Sequence, residues 1–268
     1  MSLVVSLRVP DGIVTATDSL STSQTIFEFV AQGIEMECPH CKKRVSGQEL
    51  SLPPIPVPFS ASSYTQKLFS LHDKKALGSF GQGILNGRSI YYHVKQFEQS
   101  SSESESLVQV RDRLIGYLEK ELLYQFPKYK DEAPGDWYPL GFHLNGYEDV
   151  EGKDVGVTYE VLVGRENVIR RRADIGCTIG GDPKVVQKLW EIGKENPQLQ
   201  IKYPLFSLQD AVDLSEFFIL ATSTFQRFAN EVPSVGGEID IALLTPFHGF
   251  QWIKRKKLME ILGEPRRT

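Results

Sequence analysis

Apolar residues dominate Ser2–Val9 and Ile13–Ala16, and the polar break between them is Pro10-Asp11-Gly12. This pattern predicts two strands, Ser2–Val9 and Ile13–Ser19, joined by a tight Asp-Gly turn. Residues 25–37 again favour strand. From Cys38 to Ser60 the character changes to a Cys-x-x-Cys, the run Lys42-Lys43-Arg44 and four closely spaced prolines, so 24–62 reads as an insertion. Strands resume over Tyr64–Leu71 and Ala76–Phe80, and Gly81-Gln82-Gly83 leads into a predicted helix over Ile84–Phe97. The polar link Ser100–Ser106 offers an N-cap to a second helix, in which Leu107, Val110, Leu114, Leu118 and Leu122 recur every three or four residues. Three strands follow, near 138–145, 155–164 and 167–175. Asp182-Pro183 then supplies a cap and a first-turn proline to a helix carrying Val186, Leu189 and Trp190. A second long helix covers Ser207–Asn230. After Gly236-Gly237 come two last strands, Glu238–Thr245 and Gly249–Ile253.

Strands and helices therefore arrive in blocks: strands, two helices, strands, two helices, strands. That order predicts an α+β protein of antiparallel sheets and paired helices rather than a βαβ winding. The length of 268 residues, with 41% hydrophobic and 24% charged residues, is that of an ordinary globular chain. A single domain, 1–268, interrupted by the 24–62 insertion, fits the pattern. The formal net charge of −4 gives no general attraction to nucleic acid or to an anionic membrane, so neither is expected as a partner. No apolar run approaches the ~20 residues of a membrane-spanning helix. With no signal-peptide layout at the N-terminus and only three cysteines, a cytoplasmic, reducing location is expected.

Three fragments in order resemble a proteasome β-type subunit of the N-terminal-nucleophile (Ntn) hydrolases, of the bacterial proteasome-like kind. The first is the opening hairpin, with Ser2 where the family has its nucleophilic Thr and Ala16-Thr17-Asp18-Ser19 where it has Ala-x-Asp-Ser. The second is the strand Ser63-Tyr-Thr-Gln-Lys67-Leu, followed by Gly78-Ser-Phe-Gly81-Gln-Gly83, similar to the family's lysine strand and glycine loop. The third is Gly236-Gly-Glu-Ile-Asp-Ile-Ala-Leu-Leu-Thr245, similar to its Gly-Gly strand.

The resemblance implies a four-layer αββα sandwich and a threonine-peptidase-like enzyme with serine at the nucleophile position, cleaving peptide or amide bonds. Copies of the chain would form a ring or another homo-oligomer, served by an unfoldase or regulator that the residues do not identify. In that scheme Ser2, freed of Met1, attacks with its own α-amine as base. Lys67 lowers the pKa of the amine, Asp18 neutralises Lys67, Ser19 lies beside them, and the N–H of Gly81 or Gln82 forms the oxyanion site. No cofactor is required. Two features depart from the pattern. The family's further Asp and Ser before the Gly-Gly strand are replaced by Glu231-Val-Pro-Ser234, in which Glu231 or Ser234 is the candidate stand-in. Its Gly-Ser-Gly loop becomes Thr178-Ile-Gly180-Gly181-Asp182. A non-catalytic structural homologue and a small-molecule amidohydrolase are the alternative readings.

Within the insertion, Cys38-Pro-His-Cys41 resembles one knuckle of a zinc ribbon, with His40, Cys177 or a neighbouring copy to complete a four-ligand site; a metal-free reduced hairpin tip and a redox Cys pair are the other readings. The proline run reads as a stiff strap or an edge contact between subunits, and Arg170-Arg171-Arg172 and Lys254–Lys257 as solvated basic faces.

Overall fold

The computed structural model describes residues 2–27, 30–31, 35–37, 40–42, 44–46, 50–51, 55–230 and 232–257. The chain divides into two compact units: a body that runs to Ser21 and resumes at Ser62, and an inserted unit, Thr22–Ala61.

Two five-stranded, wholly antiparallel sheets and four principal helices form the body. Its elements are β1 (Leu3–Val9), β2 (Gly12–Thr17), β3 (Leu68–Leu71), β4 (Lys75–Gly81), α1 (Ile90–Ser100), α2 (Leu107–Gln125), β5 (Leu140–Val150), β6 (Lys153–Val163), β7 (Val168–Arg172), β8 (Gly176–Gly181), α3 (Lys184–Glu195), α4 (Leu208–Gln226), β9 (Asp240–Thr245) and β10 (Gly249–Lys254). The first sheet has the order β8-β1-β2-β9-β10 and the second β7-β6-β5-β4-β3. The class is α+β, as the block pattern predicts. None of the described helices is long and apolar enough to cross a membrane.

Every residue of β1 and β2 is buried, which explains their continuous rather than alternating apolar pattern. Both faces are covered. Leu3, Val5, Leu7, Val14 and Ala16 join Val186, Ala211 and Phe218 of α3 and α4 in one core. On the other sheet, Phe142, Leu144 and Val161 pack with Val94, Phe97, Leu114 and Leu122 of α1 and α2. A smaller cluster, including Ile13, Leu68, Ala76 and Leu244, lies where the inner faces of the sheets meet. Gly78 shows how closely they approach, since a Cβ there would stand 2.6 Å from a methyl of Val4. Burying one such Leu or Phe contributes about 1.5–3 kcal/mol, so these cores hold the sheets in register.

The inner faces also carry a buried polar seam. Asn145 donates to Ser6 Oγ (3.1 Å) and Thr15 Oγ1 (2.9 Å), and accepts from Thr158 Oγ1 (2.6 Å). His143 Nδ1 lies 3.0 Å from Ser6 Oγ, while its Nε2 is buried without a partner. Burial, with a smaller contribution from the Arg8 charge, pushes the His143 pKa down to about 3.

Several boundaries differ from the pattern-based expectations. The residues Ile84–Leu85 pair with Arg88–Ser89 as a small hairpin, so α1 starts only at Ile90. Asn86 and Gly87 have φ of 51° and 69°, the left-handed pair a two-residue hairpin turn requires. Ser89 then caps the helix by accepting from the Tyr92 N–H. Only Leu68–Leu71 of the segment from Tyr64 is strand, and α4 ends at Gln226. The strand β8 appears where no strand was predicted.

The inserted unit is a nested antiparallel ribbon. Ser21–Phe27 pairs with Ile55–Ser62, Val30–Ala31 with Leu50–Ser51, and Glu35–Glu37 with Arg44–Ser46. Its tip holds His40 and the exposed Cys41, and Cys38 lies outside the described residues. Cys177, the other candidate thiol, belongs to β8 of the body. Among the described residues no group of three or more His, Cys, Asp or Glu side chains is placed to hold a metal ion.

Candidate active site

Asp18, at the end of β2, is fully buried and organises the site. Its Oδ1 accepts from the Leu3 N–H (3.0 Å) and from Lys67 Nζ (2.9 Å). Its Oδ2 accepts from the N–H groups of Leu20 and Gly236, both at 3.1 Å. Three backbone amides and an ammonium thus surround one carboxylate, which offsets the cost of burying its charge. The Leu3 N–H belongs to the peptide that links Ser2 to β1, so one oxygen ties the candidate nucleophile's main chain to the candidate lysine.

Lys67 reaches Asp18 because the residues before β3 leave the strand conformation: the Thr65 N–H donates to Ser19 O (3.0 Å), drawing the chain against the end of β2. Lys67 is 5% exposed and also donates to Leu20 O at 2.5 Å. Burial pulls its pKa down, Asp18 opposes that shift, and the charge of Lys256 adds to it. The lysine is therefore held below its ordinary value.

Ser2 is buried, and its carbonyl accepts from the Asp182 N–H (2.8 Å). The close approach depends on Gly181, whose φ is +94° and whose place a Cβ would occupy only 1.8 Å from Ser2 O. Gly81, at φ +92°, is likewise restricted: a Cβ would meet Pro139 O at 2.4 Å. Of the two expected oxyanion donors, Gln82 is excluded because its N–H is spent on Pro139 O (2.8 Å). The Ser79 N–H donates to Lys67 O (2.8 Å), and because N–H groups alternate between the edges of a strand, that of Gly81 falls on the same, Lys67-facing edge.

Gly236-Gly237 clamps this loop. Gly236 O accepts from the N–H groups of Ser19 (3.0 Å) and Leu20 (2.8 Å), and Gly237, at φ +73°, passes so close to Ser63 O that a Cβ would stand 2.7 Å away. Ser19 is buried, with Oγ accepting from Lys256 Nζ at 3.1 Å. Lys256 also pairs with Asp240, and the ammonium is nearly inaccessible, so this lysine of the basic C-terminal run is not on a solvated face.

Ser234 comes into a second buried cluster. Its Oγ donates to Asp182 Oδ2 (2.9 Å), Gln226 Nε2 donates to the same oxygen (3.0 Å), and Gln226 Oε1 accepts from the N–H of Ser234 (2.9 Å). Asp182, expected as a helix cap, accepts from the Lys184 N–H at the start of α3 with Oδ1 (3.4 Å) while its Oδ2 turns inward to this cluster. Glu231 lies outside the described residues. Asp182, Gln226, Asp240 and Lys256 are thus buried around the site although the sequence pattern assigned none of them a role there. Neither a protein-family model nor a curated protein sequence matches this chain.

Proposed function

We propose that the chain is an Ntn hydrolase of the proteasome β type, a four-layer αββα sandwich that cleaves peptide or amide bonds with Ser2 as nucleophile. The observation that carries this reading is the shared Asp18 carboxylate, which joins the buried Lys67 to the Ser2–Leu3 peptide. A lysine and an aspartate 49 positions apart, both buried and paired beside the Ser2–Leu3 peptide, have no evident use as mere surface charge.

The mechanism requires the bond between Met1 and Ser2 to be cut, so that the Ser2 α-amine, with an ordinary pKa of about 7.7–8.0, accepts the proton of its own hydroxyl. The Lys67 ammonium favours the neutral amine and the developing alkoxide. Oγ then attacks the substrate carbonyl, and the Gly81 N–H supports the oxyanion. The amine passes its proton to the leaving nitrogen, and water releases the acyl group from Ser2 by the reverse sequence. Copies assembled in a ring would screen such a site from folded proteins.

The test is intact-mass analysis with a peptide epoxyketone, which needs a hydroxyl and a free α-amine on one residue. Loss of Met1 and a single adduct on Ser2, absent in Ser2→Ala, are expected. A processed Ser2 that never reacts, with no amide hydrolysis above background, would overturn the assignment and favour a non-catalytic homologue, and hydrolysis unchanged in Ser2→Ala would overturn Ser2 as the nucleophile.

A further inference from the structure

A groove of about 610 Å³, lined by neither Asp18 nor Lys67 but reaching Gly181 beside Ser2, runs between the edge strands of the two sheets, β8 and β7. Arg8, on the inner face of β1, lines it and is 6% exposed. Its guanidinium donates to three neutral acceptors: the Asp174 carbonyl (2.8 Å) and the hydroxyls of Thr158 and Thr178 (both 2.9 Å). Buried arginines are ordinarily matched by a carboxylate. Among the described residues none forms an ion pair with Arg8, and burial lowers its pKa to about 10.

The neighbouring strand adds to this excess. Arg170 is paired with Glu160 and Arg171 with Glu148, but Arg172, opposite Thr158 in the β6–β7 ladder, has no such partner among the described residues. Arg172 raises the cost of charging Arg8, so two cations face one groove whose remaining acid is the exposed Asp174. The groove also has a backbone wall. β8 ends its sheet and pairs only with β1 along Gly176–Gly181, leaving its outer N–H and C=O groups toward the groove.

We propose that this groove binds an extended acidic peptide segment, which adds to the edge of β8 by main-chain hydrogen bonds while a carboxylate seats between Arg8 and Arg172. Edge pairing supplies affinity for any extended chain, and the uncompensated arginines select an acidic one. This inference does not depend on Ser2 being a nucleophile.

Fluorescence anisotropy of a dye-labelled hexaglutamate peptide, at low salt, tests it. Saturable binding is expected, displaced by unlabelled hexaglutamate and not by hexalysine, and equal in Ser2→Ala. Arg172→Glu, on an exposed position, should weaken it at least tenfold, whereas Lys188→Glu on α3 should leave it unchanged. Arg8→Met should behave as Arg172→Glu does, and circular dichroism on both shows that the fold is intact. A hexaglutamate with N-methylated amides should bind less well. Absence of saturable binding, or equal weakening by Lys188→Glu, would overturn the site. Displacement by pyrophosphate as effective as by hexaglutamate would overturn the extended chain as its occupant.

Discussion

The neutral, buried His143 makes the stability of the body sensitive to mild acid by an amount that can be worked out. An unfolded imidazole titrates near 6.5, whereas the folded one is held down to about 3 by burial. Below pH 6.5 the unfolded chain takes up a proton that the native chain refuses, so stability is full above that pH and is lost progressively as pH falls toward 3. Lowering the pH from about 7.5 to about 5 should therefore remove about 2 kcal/mol through this residue alone. The perturbation that isolates it is His143→Asn, whose side chain keeps a polar neighbour for Ser6 Oγ but does not titrate. Urea unfolding of both proteins at both pH values supplies the four free energies required. The wild-type protein should lose about 2 kcal/mol more than the variant, carboxylate effects cancelling in the difference. Equal losses would mean that the imidazole is protonated in the native state, and the account of the seam as a neutral network around Arg8 would be wrong.

The remaining predictions concern the site. Lys67→Met leaves Asp18 buried without its cation and should cost about 3–5 kcal/mol of stability, read by urea unfolding. Lys67→Arg restores the charge, so under the proposed mechanism it should recover most of the stability but little of the turnover; full recovery of both would argue for a purely structural lysine. Gly181→Val forces a side chain into the 1.8 Å approach to Ser2 O at a left-handed φ. Epoxyketone labelling of Ser2 should fall by orders of magnitude in this variant, and labelling at the normal rate would show that the β8–Ser2 contact does not position the nucleophile.

The sequence was most legible where local chemistry and tertiary packing agree. The opening hairpin, the Ser106-capped α2 and the spacing of Leu107 to Leu122 follow from periodicity and capping. Asp18 and Lys67 were identifiable only as a pair, through resemblance, because each alone is an ordinary strand-end residue. The strand β8 was hidden because half of Gly176–Gly181 is glycine, which carries no periodic signal. The Asn86-Gly87 turn, by contrast, had a clear local signature, and the helical pattern around it masked the small hairpin. Asp182 followed by Pro183 has every local mark of a cap. Its inward partners, Gln226 at the end of α4 and Ser234 beyond it, are a tertiary fact that no window of neighbouring residues contains. Lys256 misled for the same reason: a basic run looks solvated until Asp240 and Ser19 are placed beside it.

The order of strands in the first sheet also governs how the molecule is made. β1 and β2 are synthesised before the strands that flank them in the sheet, since their outer neighbours, β8 and β9, begin at Gly176 and Asp240. At a translation rate of about 5–20 residues per second, the hairpin waits on the order of 10–45 s for β9 to emerge. Both edges of the hairpin are open until β8 is made, and the edge of β2 stays open after that until β9 follows α4. A nascent chain in this condition is a substrate for whatever shields exposed strands on the ribosome, and its neighbours on a polysome are carrying the same hairpin. The yield of folded protein is then set by how long the β2 edge stays open, and slowing translation beyond Gly181 should reduce the yield even though the finished protein is unchanged.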